Sequence, residues 1–291
     1  MARQLDAATR ESLVERIRFY RDLGLTEFYR RPVNESAEPV VEVETQSDAV
    51  AIESQSSASI ADRQPSSSQI QSRPLTEDQA IPPRKPFPAQ PPVAEAVPAA
   101  NRVAALNLIR EEIGDCTRCA LHSGRNKLVF ADGDPNARLL FVGEGPGADE
   151  DAQGLPFVGR AGQLLNNMIT AMGLKREEVY ICNVVKCRPP GNRTPEPEEA
   201  NTCTPFLFRQ IDVVRPQVIV ALGATAATYL LGHRQPLAGL RGRVHAFRGT
   251  QLIVTYHPAF LLRDPRQKKE AWADLQIAMK ELGLAKPASS S

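Results

Sequence analysis

Residues 143–162 read GEGPGADEDAQGLPFVGRAG, and their setting decides the fold. The apolar run LLFV at 139–142 precedes them and predicts a buried strand. The segment QLLNNMITAMGL at 163–174 follows and predicts a helix. The joining stretch is too long for a plain turn, is rich in glycine, and holds one aromatic residue, Phe157, among polar groups. Glycine lets backbone approach a ligand closely. Amides ahead of a helix attract anions and oxygen-rich ligands. Long ordered loops at strand ends are usually functional. This one is not a Walker loop, because no Gly-Lys-Ser/Thr follows its glycines, and their spacing does not fit the dinucleotide fingerprint either.

Working outward, YICNVVK at 180–186, QVIVALG at 217–223 and QLIVT at 251–255 predict further strands, with an edge strand at 243–247. Helical patterns fall at 101–113, 196–214, 224–231 and 266–282. Strands alternating with helices predict an α/β fold, a three-layer αβα domain around a central, mostly parallel, four-stranded sheet. Ligands of such sheets sit beyond the carboxyl ends of the strands. That rule gathers Glu144, the loop after Lys186, and His257.

Composition changes near residue 100. Residues 32–99 are rich in Pro, Ser, Gln and Ala and poor in large apolar side chains, which predicts a disordered linker. Residues 1–31 hold a short helical segment, with Leu13, Val14, Ile17 and Tyr20 on one face and a partner of its own as one reading. Residues 100–287 are enough for one real core. The first hundred residues carry 11 Lys and Arg against 15 Asp and Glu, a net −4; the rest carry 24 against 19, a net +5. A mildly basic domain permits nucleic-acid binding. No apolar run approaches a membrane span and no leader-like core begins the chain, so the expectation is a cytoplasmic protein with no membrane partner.

Four of the five cysteines fall as Cys116-x2-Cys119, Cys187 and Cys203, a set that suits zinc or an iron–sulfur cluster. Cys182, inside a strand, reads as a small core residue. His257 opens HPAFLLR at 257–263, read either as a helix start packing its leucines or as an apolar wedge beside a cation, a device for entering a base stack.

Together, GEGPGADEDAQGLPFVGRAG, YICNVVKCRPPGNRTP, HPAFLLR and the spaced cysteines resemble the family 4 uracil-DNA glycosylases, the iron–sulfur type of bacteria and archaea. The resemblance covers about residues 101–284, with the motifs in order. It implies a [4Fe–4S] cluster on Cys116, Cys119, Cys187 and Cys203. It implies a monomeric, nucleoid-associated DNA-repair enzyme that acts on uracil in single- or double-stranded DNA and hydrolyses the N-glycosidic bond. Gly145 stands where the family often has Ala, and it offers no side chain to activate water. The Arg-Arg-Ile-His insertion of a branch that bonds covalently to DNA is absent, so turnover is expected.

Within that resemblance the residues take roles. A base inside a duplex is unreachable and must be flipped out, so the pocket must offset the lost stacking. Phe157 offers a stacking face, and Asn183 offers an acceptor for uracil N3–H and a donor for O4. His257 is expected to donate to O2 as the bond breaks, helped by the amides of Gly143 and Gly145. Glu144 is expected to orient water or stabilise the sugar cation, and Glu150 to exclude the thymine methyl group. Leu261, Leu262 and Arg263 are expected at the DNA.

Overall fold

A computed structural model describes Phe87 and residues 90–284. The segment at 7–23 and the linker up to residue 86 lie outside the described residues. In chain order the elements are α1 (Arg102–Ile113), β1 (Asp132–Gly133), β2 (Leu139–Gly143), α2 (Ala148–Gln153), α3 (Arg160–Ala171), β3 (Tyr180–Asn183) and α4 (Pro197–Val214). Then come β4 (Val218–Leu222), α5 (Gly223–Leu231), α6 (Leu237–Leu240), β5 (Val244–Phe247), β6 (Thr250–Thr255), α7 (Pro258–Arg263) and α8 (Lys268–Leu282).

The sheet has the order β1-β3-β2-β4-β6-β5. β3, β2, β4 and β6 are parallel neighbours, the four strands legible as apolar runs. The sheet nevertheless has six strands, not four, because an antiparallel strand closes each edge. β1 is only Asp132 and Gly133, too short and polar to give a periodic signal. β5 falls on the edge strand expected at 243–247, and its exposed Val244 (40%) marks it as an edge.

Side chains alternate across a strand, and here the alternation builds two cores. Leu140 and Val142 of β2 pack with Ile219, Ala221, Leu252 and Val254 against α1, α4 and α5. Leu139 and Phe141 pack with Val218, Val220 and Ile253 against α3 and α8. α4 begins with Pro197 in its first turn, and the Glu199 carboxylate accepts from the Glu196 amide at 2.7 Å, capping amides the helix cannot satisfy.

Residues 90–97, read from composition as the end of the linker, run instead against this domain. Gln90 Nε2 donates to the Leu230 carbonyl at 2.7 Å, and the Ala94 amide donates to Asp212 Oδ2 at 3.1 Å. Arg248 donates to the carbonyls of Pro91 and Pro92. The Phe87 ring meets Tyr229 edge-on at 5.7 Å. A proline-rich strap fixed largely through backbone groups has no composition that announces it.

Candidate active site

The parallel register puts Gly143 beside Asn183 and Leu222 beside Thr255, so the carboxyl ends of four strands finish together. The loops beyond them stay zipped: Val184 N donates to the Gly143 carbonyl at 2.9 Å and Val185 N to that of Glu144 at 3.1 Å. They enclose a cavity of about 520 Å³, within the usual range for small-ligand pockets, onto which Glu144, Gly145, Phe157, Asn183, His257 and Arg263 face.

Asn183 is 1% exposed, and its Oδ1 has no hydrogen-bond partner among the described residues. A buried acceptor left unpaired costs about 1–3 kcal/mol, so the site favours a ligand that brings a donor. The backbone beneath is fixed by the buried Lys186, whose Nζ donates to the Asn183 carbonyl at 2.8 Å and to Gln210 Oε1. Gly143 makes room for the pair of side chains above it. A Cβ there would lie 2.4 Å from Asn183 Oδ1 and 2.5 Å from Phe157 Cζ, so only glycine lets strand, amide and ring meet.

Phe157 is buried, and its ring centroid lies 5.6 Å from that of His257, tilted by 33°. His257 is the N-cap of α7, where its Nδ1 accepts the Ala259 amide at 3.1 Å. With Nδ1 engaged as an acceptor, the proton of the neutral ring sits on Nε2. Burial first, and then the Arg263 charge, push the imidazole pKa down to about 4, with Glu150 opposing. The ring is therefore a neutral donor at physiological pH.

Glu144 faces the cavity with Oε2 held by the Thr225 hydroxyl of α5, a partner far away in sequence. Gly145 follows, packed so that an added Cβ would meet Val185 Cγ2 at 2.7 Å. Glu150 reaches the cavity too, but both its oxygens are engaged: Oε2 accepts from Gly147 N at 3.0 Å, and Oε1 from Val158 N and Gly159 N at 2.9 Å each. That carboxylate shapes the loop around Phe157 from the cavity wall. Residues 143–162, expected as one loop, are interrupted by α2, and α3 begins at Arg160. The acidic run at Asp149, Glu150 and Asp151 is the first turn of α2, where negative charge suits the helix dipole.

The HPAFLLR stretch divides. Leu261, expected at the DNA, is 1% exposed and packs beside Leu164, Met168, Ala271 and Leu275, because α7 turns it toward α3 and α8. Leu262 is 37% exposed and Arg263 is exposed at the cavity rim. Sequence reasoning missed Arg160 and Phe260, which also reach the cavity. Phe260 stacks on Tyr256 with centroids 5.1 Å apart, and Arg241 covers Tyr256 at 4.1 Å. Only periodicity within α7 would have separated Leu261 from Leu262.

The cysteines gather at a second corner, formed by the turn after α1, the loop after β3, and α4. Each is close enough to another for their charges to interact: Cys119 with Cys116, Cys187 with both, and Cys203 with Cys187 and Cys119. Burial pushes the Cys119 and Cys187 thiols up, and that of Cys203 up to about 11. Arg125 donates to Cys187 Sγ at 3.2 Å and to the Cys116 carbonyl at 2.8 Å, and Arg118 donates to Cys116 Sγ at 3.3 Å. No three such side chains among the described residues stand in a ready-made ligand array. The donor chemistry still fits a thiolate-held cluster, since four thiols converge and two guanidiniums face their sulfurs. Cys182 lies fully buried in β3, apart from this group.

Comparison with known proteins agrees with this geometry. The sequence model of the Uracil DNA glycosylase superfamily matches residues 130–276. The chain is 48% identical over 161 residues to a type-4 uracil-DNA glycosylase of Thermotoga maritima, covering 55% of this chain and 84% of that protein. It is 41% identical over 179 residues to one from Archaeoglobus fulgidus (59% and 90% covered) and 44% identical over 180 residues to one from Pyrobaculum aerophilum (59% and 92% covered). Among the described residues no helix is long and apolar enough to cross a membrane.

Proposed function

The chain belongs to the uracil-DNA glycosylase superfamily, in its type-4 branch, and from that premise we propose how its own residues excise uracil from DNA. It is a DNA-repair hydrolase that releases uracil and leaves an abasic site. The observation that carries the assignment of roles is the unpaired, buried Oδ1 of Asn183 beside the Phe157 ring and the neutral His257.

The flipped uracil stacks on Phe157, a contact worth about 1–3 kcal/mol for a base on an aromatic ring. Uracil N3–H donates to Asn183 Oδ1, and the Asn183 amide donates to O4. Cytosine presents an acceptor at N3 and a donor at N4, which leaves two buried groups mismatched. As C1′–N1 breaks, its electron pair moves onto the uracil ring. His257 Nε2–H donates to O2, where that charge gathers, and a neutral donor does so without first repelling or losing a proton. Glu144, held by Thr225, orients the attacking water and offsets the positive charge on the sugar. The water oxygen bonds to C1′, and the proton it sheds neutralises the uracil anion. Gly143 and Gly145 keep the strand end open to the base.

Leu262 and Arg263 are exposed on α7 beside the cavity and are assigned to the DNA, Leu262 as the wedge and Arg263 as a cation for the backbone. Cys116, Cys119, Cys187 and Cys203 would hold a [4Fe–4S] cluster, which when bound ties the turn after α1 to the loop after β3 and to α4. The full chain should release free uracil from a uracil-containing single strand and leave strands with cytosine or thymine intact. Binding of the uracil strand without release of the base refutes the hydrolytic reading.

A further inference from the structure

Phe157 has φ 52°, a left-handed conformation that a bulky residue avoids. Such a residue persists only where its surroundings over-determine it. Two groups do so here. On the downstream side Glu150 Oε1 accepts the amides of Val158 and Gly159. On the upstream side stands Arg176, in a short turn ahead of β3 and away from the cavity lining. Its NH2 donates to the Pro156 carbonyl at 2.6 Å and its NH1 to the Phe157 carbonyl at 3.1 Å. NH1 also donates to Asn166 Oδ1 of α3 at 2.8 Å, and Nε donates to Asp132 Oδ2 of β1 at 2.8 Å.

We propose that Arg176, anchored by Asp132 and Asn166, is the positioning residue that aims the Phe157 ring at the flipped base. One planar fork grips two successive carbonyls, and so sets the peptide planes on both sides of the Phe157 Cα. Gly162 completes the seat, since a Cβ there would lie 1.9 Å from the Phe157 carbonyl oxygen. The ring direction then follows from the backbone, which explains why β1 exists as a two-residue edge: it presents Asp132 to Nε. A lysine brings one charge but no planar fork, and it cannot hold two carbonyls, an amide and a carboxylate together.

This inference rests on the stacking role proposed for Phe157, and the test separates the two. Binding is measured to a single strand carrying 2′-fluorinated deoxyuridine, whose glycosidic bond resists hydrolysis, and to the same strand with an abasic analogue in its place. Phe157→Ala should weaken uracil-strand binding about tenfold, the size of one base–aromatic stack, and leave abasic binding unchanged. Arg176→Ala should do the same, and Arg176→Ala added to Phe157→Ala should cost nothing more. Arg176→Lys should behave as Arg176→Ala does, and it serves alone if the alanine variant does not fold. Equal loss on both strands, additive losses in the double variant, or full binding by the Arg176 variants overturns the positioning role. If Phe157→Ala itself binds both strands as the parent does, the stacking reading fails, and this inference with it.

Discussion

The cavity loop and the cysteine corner are held by different kinds of bond. Around Phe157 the loop closes on itself: Glu150 accepts three backbone amides, and Arg176 donates to two backbone carbonyls. Its shape is a property of the chain. At the corner, burial raises the thiols of Cys119, Cys187 and Cys203, while Arg118 and Arg125 point donors at the sulfurs. Neutral thiols give those guanidiniums little to bind, and thiolates on a metal give them a great deal. A site whose ligands must lose protons to bind couples metal to folding. The contrast separates a region organised for chemistry by its own hydrogen bonds from one that the proposed cluster would organise.

The largest effect should come from breaking the corner. Cys187→Ser should lose its iron and the cooperative melting of the domain, and Cys182→Ser should keep both, because Cys182 is a core residue of β3. Iron content and thermal melting of anaerobically prepared protein check this. Full iron in Cys187→Ser, or tight zinc in the parent, breaks the contrast at its root.

Next in size is His257→Ala, which should leave iron and melting near the parent and slow single-turnover cleavage by about 10²–10³, the usual cost of one oxyanion-type donor. If the whole defect disappears at saturating protein, His257 binds the base and does not stabilise the leaving group. The pKa near 4 adds a sign. Between the ordinary histidine value and about 4 the unfolded chain takes up a proton that the folded chain refuses. The His257 contribution to stability therefore declines as pH falls through that window, and His257→Ala lacks that slope. A titration step near 6.5 in the parental imidazole would mean that water reaches the ring and that its surroundings do not hold it neutral.

Asn183→Asp acts on recognition instead. Ionised Asp is acceptor-only and leaves uracil O4 without its donor, yet it can receive the exocyclic amine of cytosine and N3–H of its protonated form. The ratio of uracil to cytosine excision should fall, with iron unchanged. An unaltered ratio removes Asn183 from the reading of the base.

These sites were not equally legible in the sequence. The four parallel strands announce themselves as apolar runs, and the rule that ligands sit beyond their carboxyl ends gathers Glu144, the loop after Lys186 and His257 from the sequence alone, while Asn183 follows from the resemblance. β1 left no trace, because two residues carry no period. The strap at 90–97 was hidden because its bonds, mostly from its backbone, run to residues far away in sequence. Thr225 and Arg176 were invisible for a related reason: each acts on a motif residue from an element separated from it in sequence, and no local pattern encodes that meeting. Glu150 shows a second task that no local pattern announces. An acidic side chain in a binding loop suggests exclusion of the thymine methyl group, and the same carboxylate also accepts the amides of its own loop while lining the cavity.

The smallest effect should separate two neighbouring leucines. Leu261 belongs to the packed side of α7 and Leu262 to its open side. Leu261→Ala should cost about 2–5 kcal/mol of stability, the range for a buried leucine, and should alter single- and double-strand excision alike. Leu262→Ala removes a side chain that is 37% exposed, so its melting should stay close to the parent. Flipping a base from a paired duplex costs a few kcal/mol that a single strand mostly avoids, so a wedge matters where that cost is present. Leu262→Ala should therefore slow excision from U·A pairs severalfold while leaving single strands nearly untouched. Rate constants on the two substrates, measured with iron content matched, decide it. Equal rates for parent and variant on the duplex mean that α7 meets DNA through Arg263 alone, and that the organised chemistry of the cavity loop does not extend to prising the duplex apart.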